Sequence, residues 1–277
     1  MFYIIGSRGR LGQAIATEYA DKNLFALDRK DYEEWSTSGA VDKISRYFDK
    51  PQNECATLFV TSGLLNPNSS KEDLQAINYQ LPKNIIEGAT KAGIKIVTFG
   101  TVMEDLVKPL NPYILSKVAL RDYIVNTIAK RHEVEVVHLQ IHTLYGVGQP
   151  SSFMFLGQIL NAIKTNQPFK MTSGRQLREY HHLNDESKAI QKIVSSKFRG
   201  VSALSHGRSL SLAAIAENVF DAFKKRDLLQ IGALPDPTEE NYEKILKPLT
   251  ALDEIDFRDP MLGIPEYLLK CSNPSQP

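Results

Sequence analysis

Two residue types suited to proton transfer lie four positions apart in the stretch Tyr113-Ile-Leu-Ser-Lys117. On a helix, this spacing puts both side chains on one face, within reach of a common ligand. A free tyrosine loses its proton only near about pH 10, but a nearby ammonium group favours the phenolate and lowers that pKa. The pair therefore suits proton transfer to or from a hydroxyl or carbonyl oxygen, and we expect Lys117 to lower the pKa of Tyr113.

A hydroxyl group twelve residues before Tyr113 extends this pair. Thr101 follows the apolar run at residues 94–99, which predicts a buried strand ending at Gly100. A hydroxyl at the carboxyl end of a strand can hydrogen-bond the same substrate oxygen. Because Tyr-x-x-x-Lys pairs are common in helices by chance, the surrounding elements decide whether these residues form a site.

The start of the chain predicts a strand, a glycine-rich turn and a helix, in that order. Residues 2–5 are apolar strand formers and residues 13–21 follow a helical pattern. Glycines let the backbone approach a pyrophosphate, and the helix N-terminus offers unpaired N–H donors. The glycine spacing is G-x-x-G-x-x-G, where the usual dinucleotide fingerprint is G-x-G-x-x-G. The sequence therefore predicts a dinucleotide site at the turn made of Gly6, Ser7, Arg8, Gly9, Arg10, Leu11 and Gly12.

A second predicted strand, at residues 24–27, ends at Asp28, twenty-two residues after Gly6. An acid near this offset binds the adenosine ribose, and its charge disfavours a 2′-phosphate. Arg29 and Arg8 argue the other way, because basic groups could pair with such a phosphate. We predict NAD as the cofactor, with Asp28 and Arg29 in its site and NADP as the alternative.

Strand and helix patterns continue to alternate along the first half of the chain. A strand at residues 57–60 ends in Thr61-Ser62-Gly63, where small residues would let a cofactor lie across the strand end. A helix over residues 74–92, the strand at 94–99 and the helix of Tyr113 follow. This order predicts an α/β fold with a doubly wound parallel sheet.

Composition and charge predict no nucleic-acid or membrane partner. The chain has 33 basic and 32 acidic side chains, spread evenly. No apolar run is long enough for a membrane span, and the predicted strand at Phe2 leaves no room for a signal peptide. Cys55 and Cys271 are far apart and lack metal-ligand spacing. We expect a cytoplasmic protein in a reducing compartment.

The glycine turn, Asp28, Thr101 and the Tyr113-x-x-x-Lys117 pair, in this order, resemble the extended short-chain dehydrogenase/reductase family. That family contains nucleotide-sugar epimerases, dehydratases and ketoreductases. The likeness continues into the second half of the chain, to about residue 215, in Leu144-Tyr-Gly-Val-Gly-Gln-Pro150, Gly174-Arg-Gln-Leu-Arg178-Glu-Tyr-His-His-Leu-Asn-Asp185 and Gly207-Arg-Ser-Leu-Ser-Leu212. It implies a Rossmann-type domain at residues 1–150 and a smaller C-terminal substrate-binding lobe at 151–277, with some segments returning to the Rossmann core.

The resemblance also implies residue roles. Tyr113 would exchange a proton with the sugar oxygen, Lys117 would bind the nicotinamide ribose, and Thr101 would hydrogen-bond the substrate oxygen. Ser62 and Gly63 would line the cofactor. A nucleotide sugar is the implied substrate, and a homodimer through the helix of Tyr113 is the implied assembly. The substrate-binding candidates are His142, Thr143, Gln149 and Arg178, the last because a guanidinium grips phosphate oxygens well.

The two positions directly after Thr101 argue against one of the family's reactions, dehydration. Dehydratases of this family place an Asp-Glu pair there, where this chain has Val102 and Met103, so elimination lacks its acid and base. Glu104 lies one position too late. Residues 231–235 are similar to a segment of enzymes that act on deoxy-sugar nucleotides for surface polysaccharide and lipopolysaccharide. We predict a 4-ketoreductase, with a 4-epimerase as the alternative and a non-enzymatic NAD(P)-binding redox sensor as the alternative of another class.

Adjacent histidines at positions 181 and 182 invite a metal-binding interpretation. Neighbouring residues of a strand point to opposite faces, and no third ligand follows nearby in the sequence. We therefore predict no metal site.

Overall fold

The computed structural model describes residues 1–50, 55–66, 68–107 and 111–273. The chain divides into two compact units: Met1–Ile141 with Ser187–Leu204, and His142–Glu186 with Ser205–Pro277. Within the described ranges, every helix is too short or too polar to cross a membrane.

Strands and helices have the following bounds. The strands are β1 (Phe2–Ile5), β2 (Leu24–Ala26), β3 (Thr57–Val60), β4 (Lys95–Thr101), β5 (Val136–Ile141), β6 (Thr143–Tyr145), β7 (Phe169–Lys170), β8 (Leu177–Arg178), β9 (Tyr180–His182), β10 (Gly200–Ala203), β11 (Leu210–Ser211) and β12 (Leu229–Gln230). The α-helices are α1 (Arg10–Glu18), α2 (Arg29–Tyr32), α3 (Ala40–Phe48), α4 (Lys71–Gln75), α5 (Leu81–Ala89), α6 (Met103–Leu106), α7 (Pro112–Asn126), α8 (Phe155–Thr165), α9 (Leu183–Ser195), α10 (Leu212–Ala222) and α11 (Pro260–Ser272). A π-helical turn, Ala76–Gln80, joins α4 to α5.

A parallel sheet of six strands, in the order β10-β5-β4-β3-β1-β2, forms the centre of the first unit. The chain begins at β1, steps outward to β2, and then crosses back to β3 on the other side of β1. The strand order therefore reverses between β1 and β3, and the crevice at the carboxyl ends of such strands is where doubly wound folds bind ligands. The predicted α/β fold with a Rossmann-type, doubly wound parallel sheet is confirmed.

Apolar strands and amphipathic helices make the core of this unit. Each residue of β3 is buried, as expected for a central parallel strand covered on both faces. On one face of the sheet, α3 and α5 pack so closely that a Cβ at Gly88 would lie only 2.7 Å from the Ile44 Cβ. Fully buried Ile and Leu side chains here, such as Ile44 and Leu58, each contribute about 1.5–3 kcal/mol.

Three short two-stranded ribbons and several helices form the second unit. The ribbons pair β6 with β9, β8 with β11, and β7 with β12. In the parallel β6–β9 ribbon, Thr143 is the partner of Tyr180 and Leu144 is the partner of His181. The helices α8, α10 and α11 enclose an apolar core that includes Ile159, Phe220 and Leu268.

Two predicted helix starts shift by a few residues because of local capping. The helix predicted from residue 74 begins at Lys71, since the Ser70 hydroxyl accepts a hydrogen bond from the Asp73 N–H at 2.9 Å. The first helix begins at Arg10, directly after the extended residue Gly9, so part of the glycine turn already lies within it.

Candidate active site

The glycine turn after β1 is held by close contacts that only glycine allows at two positions. Gly6 has a φ of 79°, and a Cβ there would lie 2.5 Å from the Ser62 N. A Cβ at Gly12 would lie 2.8 Å from the Ser7 Cα and would also overlap the Gly6 carbonyl oxygen. At Gly9, by contrast, a Cβ would meet only that carbonyl oxygen, at 3.3 Å. The turn thus packs against the end of β3 through Gly6 and has free space beside Gly9.

A cavity of about 280 Å³ lies beside this turn in the first unit. Five of the predicted cofactor residues line it, namely Gly6, Gly9, Arg29, Ser62 and Gly63, together with Tyr32, Glu33, Ser36, Thr61, Leu64, Ile77 and Leu81. The other predicted cofactor residues lie outside this lining: Ser7, Arg8, Arg10, Leu11, Gly12, Asp28, Tyr113 and Lys117. The small residues and the nearby start of α1 leave backbone N–H groups able to approach a phosphate.

Asp28, which favours NAD, and Arg8, which favours NADP, lie close to each other at the surface. Asp28 precedes α2, and its N–H donates to the Asp31 carboxylate at 3.0 Å. Its own carboxylate lies 3.9 Å from the Arg8 guanidinium, and both side chains are exposed. Each is therefore free to contact a ribose or a phosphate.

Helix α7 presents Tyr113 and Lys117 on its first two turns. Asn111 caps the helix by accepting a hydrogen bond from the Tyr113 N–H at 2.8 Å, and Pro112 occupies the first helical position. The buried Lys117 ammonium donates to the Phe99 carbonyl of β4 at 2.9 Å. It also lies 3.7 Å from where a Cβ would stand on Gly63, so it stands beside the loop that lines the cavity.

The expected effect of Lys117 on the Tyr113 phenol was wrong for this structure. Burial, followed by the negative charge of Glu104, raises the pKa of Tyr113 above its usual value. Burial lowers the pKa of Lys117 to about 8, although Glu104 opposes that change. The sequence argument placed a cation beside the tyrosine but did not foresee that both groups would lose water near a carboxylate.

Thr101, and not Thr98, offers its hydroxyl at the end of β4. Thr101 is partly exposed, and its Oγ1 accepts a 3.3 Å hydrogen bond from the Met103 N–H. Thr98 is buried, with its Oγ1 2.8 Å from the His138 Nδ1. The assignment of the substrate-facing hydroxyl to Thr101 stays a prediction, but Thr98 is already committed to the core.

Glu104 is a site residue that the sequence analysis set aside. Its buried carboxylate accepts hydrogen bonds from the Thr101 N–H at 2.6 Å and from the Gln140 amide at 3.2 Å. Burial alone would raise the pKa of Glu104, but His138, 3.9 Å away, and the Thr101 N–H lower it. A buried anion therefore lies close to Thr101, Tyr113 and Lys117. Its position three residues after Thr101, in a short helical turn, was the signal available in the sequence.

Asn78 is a second residue that the sequence analysis missed. It is buried in the π-helical turn, and its amide both accepts from the Leu64 N–H at 2.8 Å and donates to the Leu64 carbonyl at 2.9 Å. It also donates to the Ser116 hydroxyl of α7 at 3.1 Å. Asn78 thus ties the cavity loop to the helix of Tyr113. A polar residue on the apolar stripe shared by Leu74 and Leu81 would have marked it.

In the second unit, the predicted substrate residues have partners of their own. The Arg178 guanidinium forms a 2.6 Å ion pair with Glu240. The Gln149 amide donates to the Cys271 carbonyl at 3.1 Å, and Thr143 is partly exposed in β6. His142 is buried and faces Glu179, with 3.6 Å between its Nε2 and the carboxylate, so its ring is turned towards the protein interior.

The absence of further ligands near His181, inferred from the sequence, does not hold in the fold. His181 lies between the carboxylates of Glu179 and Glu186, at 2.8 and 2.6 Å, and close to His142. Burial would lower the pKa of His181, but Glu186 and Glu179 raise it to about 9. Burial lowers the pKa of His142 to about 3. Glu179 and Glu186 lie only two and five residues from His181 in the sequence and were overlooked there, whereas His142 is brought close by the pairing of β6 with β9.

The strand order, the glycine turn at the point of strand reversal and the polar groups at the end of β4 define a Rossmann-type dinucleotide-binding protein. Comparison of the sequence with known protein families places the chain in a narrower class. The NAD dependent epimerase/dehydratase family matches residues 2–204, and the chain belongs to this family. The resemblance drawn from the motifs is therefore confirmed, and the family's name agrees with NAD as the predicted cofactor.

Solved structures similar to this chain share its fold. MoeE5 in complex with UDP-glucose and NAD is 19% identical, with a TM-score of 0.74 and 99% of each chain covered. The UDP-N-acetylglucosamine 4-epimerase of Methanobrevibacter ruminantium is 15% identical, with a TM-score of 0.76 over 97% of this chain and 96% of that one. The UDP-glucose 4-epimerase of Thermus thermophilus, in complex with NAD, is 15% identical, with a TM-score of 0.72 over 96% and 97%. A comparison with curated proteins found no match.

Proposed function

We propose that this protein is an NAD-dependent oxidoreductase acting at C4 of a nucleotide-activated sugar, and that it works as a 4-ketoreductase. The observation that carries the proposal is the position of Lys117. Its ammonium bonds the Phe99 carbonyl of β4 and lies beside Gly63 of the cavity loop, and Lys117 is on the same helix as Tyr113. Proton-transfer groups therefore stand beside the cavity that suits a dinucleotide.

The cavity residues fit the cofactor that the family requires. The N–H groups at the start of α1 would bind the pyrophosphate, and the open side of Gly9 leaves space for it. Asp28 would bind the adenosine ribose, and Lys117 would bind the nicotinamide ribose. When bound, NAD supplies the hydride-transfer chemistry.

In this proposal, Tyr113 is the proton donor. A tyrosine phenol is protonated at neutral pH, and burial and Glu104 raise the pKa of Tyr113 further, so it can give a proton to the oxygen of a sugar ketone. Thr101 would hydrogen-bond the same oxygen. We place the ketoreductase first on the likeness of residues 231–235 to a segment of enzymes that act on deoxy-sugar nucleotides.

Dehydration is disfavoured by the residues after Thr101. The two positions that need an acid and a base carry Val102 and Met103. Glu104 does not replace them, since its carboxylate is buried and hydrogen-bonded to the Thr101 N–H. The two positions that would supply the acid and base of an elimination therefore carry neither.

A 4-epimerase is the second candidate, and similar structures favour it. Two of them are named as 4-epimerases of UDP-glucose or UDP-N-acetylglucosamine. Both reactions would use the same proton-transfer residues, but they differ in how the cofactor is used. A reductase releases oxidised cofactor in each cycle, whereas an epimerase restores its NAD within each turnover.

The nucleotide part of the substrate is assigned to Arg178. To grip phosphate oxygens, its guanidinium would have to share or exchange the 2.6 Å contact with Glu240. The deoxy-sugar nucleotides used for surface polysaccharides are the class we propose, on the likeness of residues 231–235.

The experiment compares cofactor consumption with a panel of nucleotide sugars. Loss of NADH absorbance in step with product formation from 4-keto nucleotide sugars would support the ketoreductase. Interconversion of UDP-glucose or UDP-N-acetylglucosamine with its C4 epimer, at catalytic amounts of NAD, would support the epimerase instead. Tight NAD binding without turnover of any substrate would contradict both and favour a redox sensor.

A further inference from the structure

A buried cluster in the second unit is not used by the proposed reaction. His142 directly precedes β6 and Glu179 directly precedes β9, and these strands pair in parallel with Thr143 opposite Tyr180. This register places His142 beside Glu179. Because residues two apart on a strand share a face, His181 lies on the same side as Glu179. The pairing of β6 with β9 thus brings two imidazoles and a carboxylate to one side of the ribbon.

The ligand atoms of this cluster are close enough for small side-chain movements to bring them around one ion. One nitrogen or oxygen from each of His142, Glu179 and His181 lies within 4.8 Å of the others, and all three residues are buried. The Nε2 of His142 stands 3.6 Å from the Oε2 of Glu179, which is too far for a hydrogen bond. Two ligand atoms bound to one tetrahedral ion at about 2.1 Å are about 3.4 Å apart.

One atom of the cluster lacks a partner. The Nε2 of His142 is buried, and within the described ranges nothing hydrogen-bonds to it. The His142 side chain is only 4% exposed. Buried polar atoms almost always have a hydrogen-bond partner, because an unpaired one loses its hydration without compensation. A cation between His142 and Glu179 would satisfy this lone pair.

Glu186 determines which nitrogen of His181 is available to bind the ion. The Nδ1–H of His181 donates to the Glu186 carboxylate at 2.6 Å, and metal-binding histidines usually donate their second N–H to such a group. The Nε2 now donates to Glu179 at 2.8 Å. On binding, an ion would replace that proton, which would leave to solvent. The two carboxylates would then balance the charge of a divalent cation.

A cavity lined by three acidic residues and Arg208 lies next to His206, which packs against the cluster. The His206 ring stacks on the His181 ring, with 4.6 Å between centroids, and His206 lines a cavity of about 540 Å³. Asp253, Glu254 and Asp256 line the same cavity. Their negative charge would attract a cation towards His206 and the cluster.

We propose that His142, Glu179 and His181 bind one divalent first-row transition-metal ion of the Zn²⁺ class. Two imidazoles and one carboxylate are the ligands of such ions, whereas Mg²⁺ and Ca²⁺ prefer oxygen ligands alone. The three ligands belong to the second unit and include none of Thr101, Tyr113 and Lys117, so the existence of the site does not depend on the proposed reaction.

The test is a metal titration of the untagged, chelator-treated full chain. We expect one Co²⁺ per chain, with a visible absorption band of a four- or five-coordinate ion, and displacement of Co²⁺ by Zn²⁺. His142→Ala should weaken binding by about a hundredfold or more, and Glu186→Gln by about tenfold to a hundredfold. The control is His132→Ala, which removes an exposed histidine of the first unit and should leave the titration unchanged.

The proposal is overturned by substoichiometric uptake in the wild-type protein or by uptake that His142→Ala leaves unchanged. Should His142→Ala fail to fold, X-ray absorption at the zinc edge of the loaded wild-type protein decides the question. Scattering from two imidazole ligands supports the site. Scattering from oxygen ligands alone contradicts it.

Discussion

Lys117 shows how burial changes the chemistry expected from a residue pair. Its side chain is buried, its ammonium donates to the Phe99 carbonyl, and the carboxylate of Glu104 lies near it. A charged ammonium in this position loses hydration that the hydrogen bond and Glu104 only partly restore. Lys117 therefore costs stability in the cofactor-free protein, a cost that is expected at a binding site.

The first prediction concerns the pH dependence of this cost. The pKa of Lys117 falls from 10.5 in the unfolded chain to about 8 in the folded protein. Below pH 8 both states carry the charge, so the folded state bears the full cost. Between pH 8 and 10.5 the folded state loses the proton first, so the free energy of unfolding rises with pH.

The measurement is chemical denaturation of the wild-type protein and Lys117→Met, without cofactor, from pH 7 to 10. Subtracting the unfolding free energy of the variant from that of the wild-type protein removes the contribution of the titrating groups that both proteins share. We expect the unfolding free energy of the wild-type protein, minus that of Lys117→Met, to rise by on the order of 3 kcal/mol from pH 7 to 10. A difference that stays flat would contradict the buried, charged state of Lys117.

At the scale of residues, the sequence showed which groups could react but not which charges surround them. Tyr113, Lys117 and Thr101 were recognised by type and spacing. Glu104 was dismissed because its sequence position did not match a known pattern, yet its carboxylate bonds the Thr101 N–H. The direction of a pKa shift depends on burial and on neighbours from β4 and β5, which a linear pattern does not contain.

The glycine turn between β1 and α1 separates residues needed for the fold from residues needed for the ligand. A Cβ on Gly12 would lie 2.8 Å from the Ser7 Cα, whereas a Cβ on Gly9 would meet one carbonyl oxygen at 3.3 Å. Gly9 also has an ordinary φ of −71°. Gly9 is thus under less packing demand than Gly12, and we expect its main role to be leaving space for a phosphate.

The second prediction follows from this difference. Gly9→Ala should fold with a melting temperature close to that of the wild-type protein and bind NAD at least about tenfold more weakly, a loss of about 1.4 kcal/mol. Gly12→Ala should lower the melting temperature by several degrees because the added methyl group forces the turn apart. Thermal melting and NAD titration of both variants are the measurements. Unchanged NAD affinity in Gly9→Ala would remove this turn from the cofactor site.

At the scale of elements, alternating apolar runs and helical patterns were enough to predict the parallel sheet. The π-helical turn that buries Asn78 was not predictable, because its extra residue per turn follows from contacts with Leu64 and Ser116. The pairing of β6 with β9 was also hidden, since the two strands are short and distant in the chain. That pairing is what brings His142 to Glu179 and His181.

At the scale of the whole molecule, α7 exposes apolar side chains at its surface. Leu115 is 47% exposed and Val125 is 49% exposed. Single exposed apolar residues are common, but two on the helix that the family resemblance assigns to an interface suit a homodimer.

The third prediction is a dimer in solution through this helix. We expect light scattering to give twice the 31.1 kDa of one chain, and Val125→Lys to shift the protein to the monomer by placing a charge in the contact. The matched control is Leu262→Lys, which adds the same charge at a 68% exposed leucine of α11 and should leave the dimer intact. A monomeric wild-type protein would contradict the prediction.

The central claim is that the Tyr113 phenol carries the proton that accompanies hydride transfer to the sugar. The most direct measurement is the turnover of a 4-keto nucleotide sugar with NADH by Tyr113→Phe, beside NADH binding by the same variant. Tyr47→Phe, which removes a hydroxyl from α3 of the same unit, is the control. We predict that Tyr113→Phe loses a hundredfold to about ten-thousandfold of turnover while its NADH affinity stays within about twofold. Retention of a tenth or more of the turnover, or an equal loss in Tyr47→Phe, would contradict the claim.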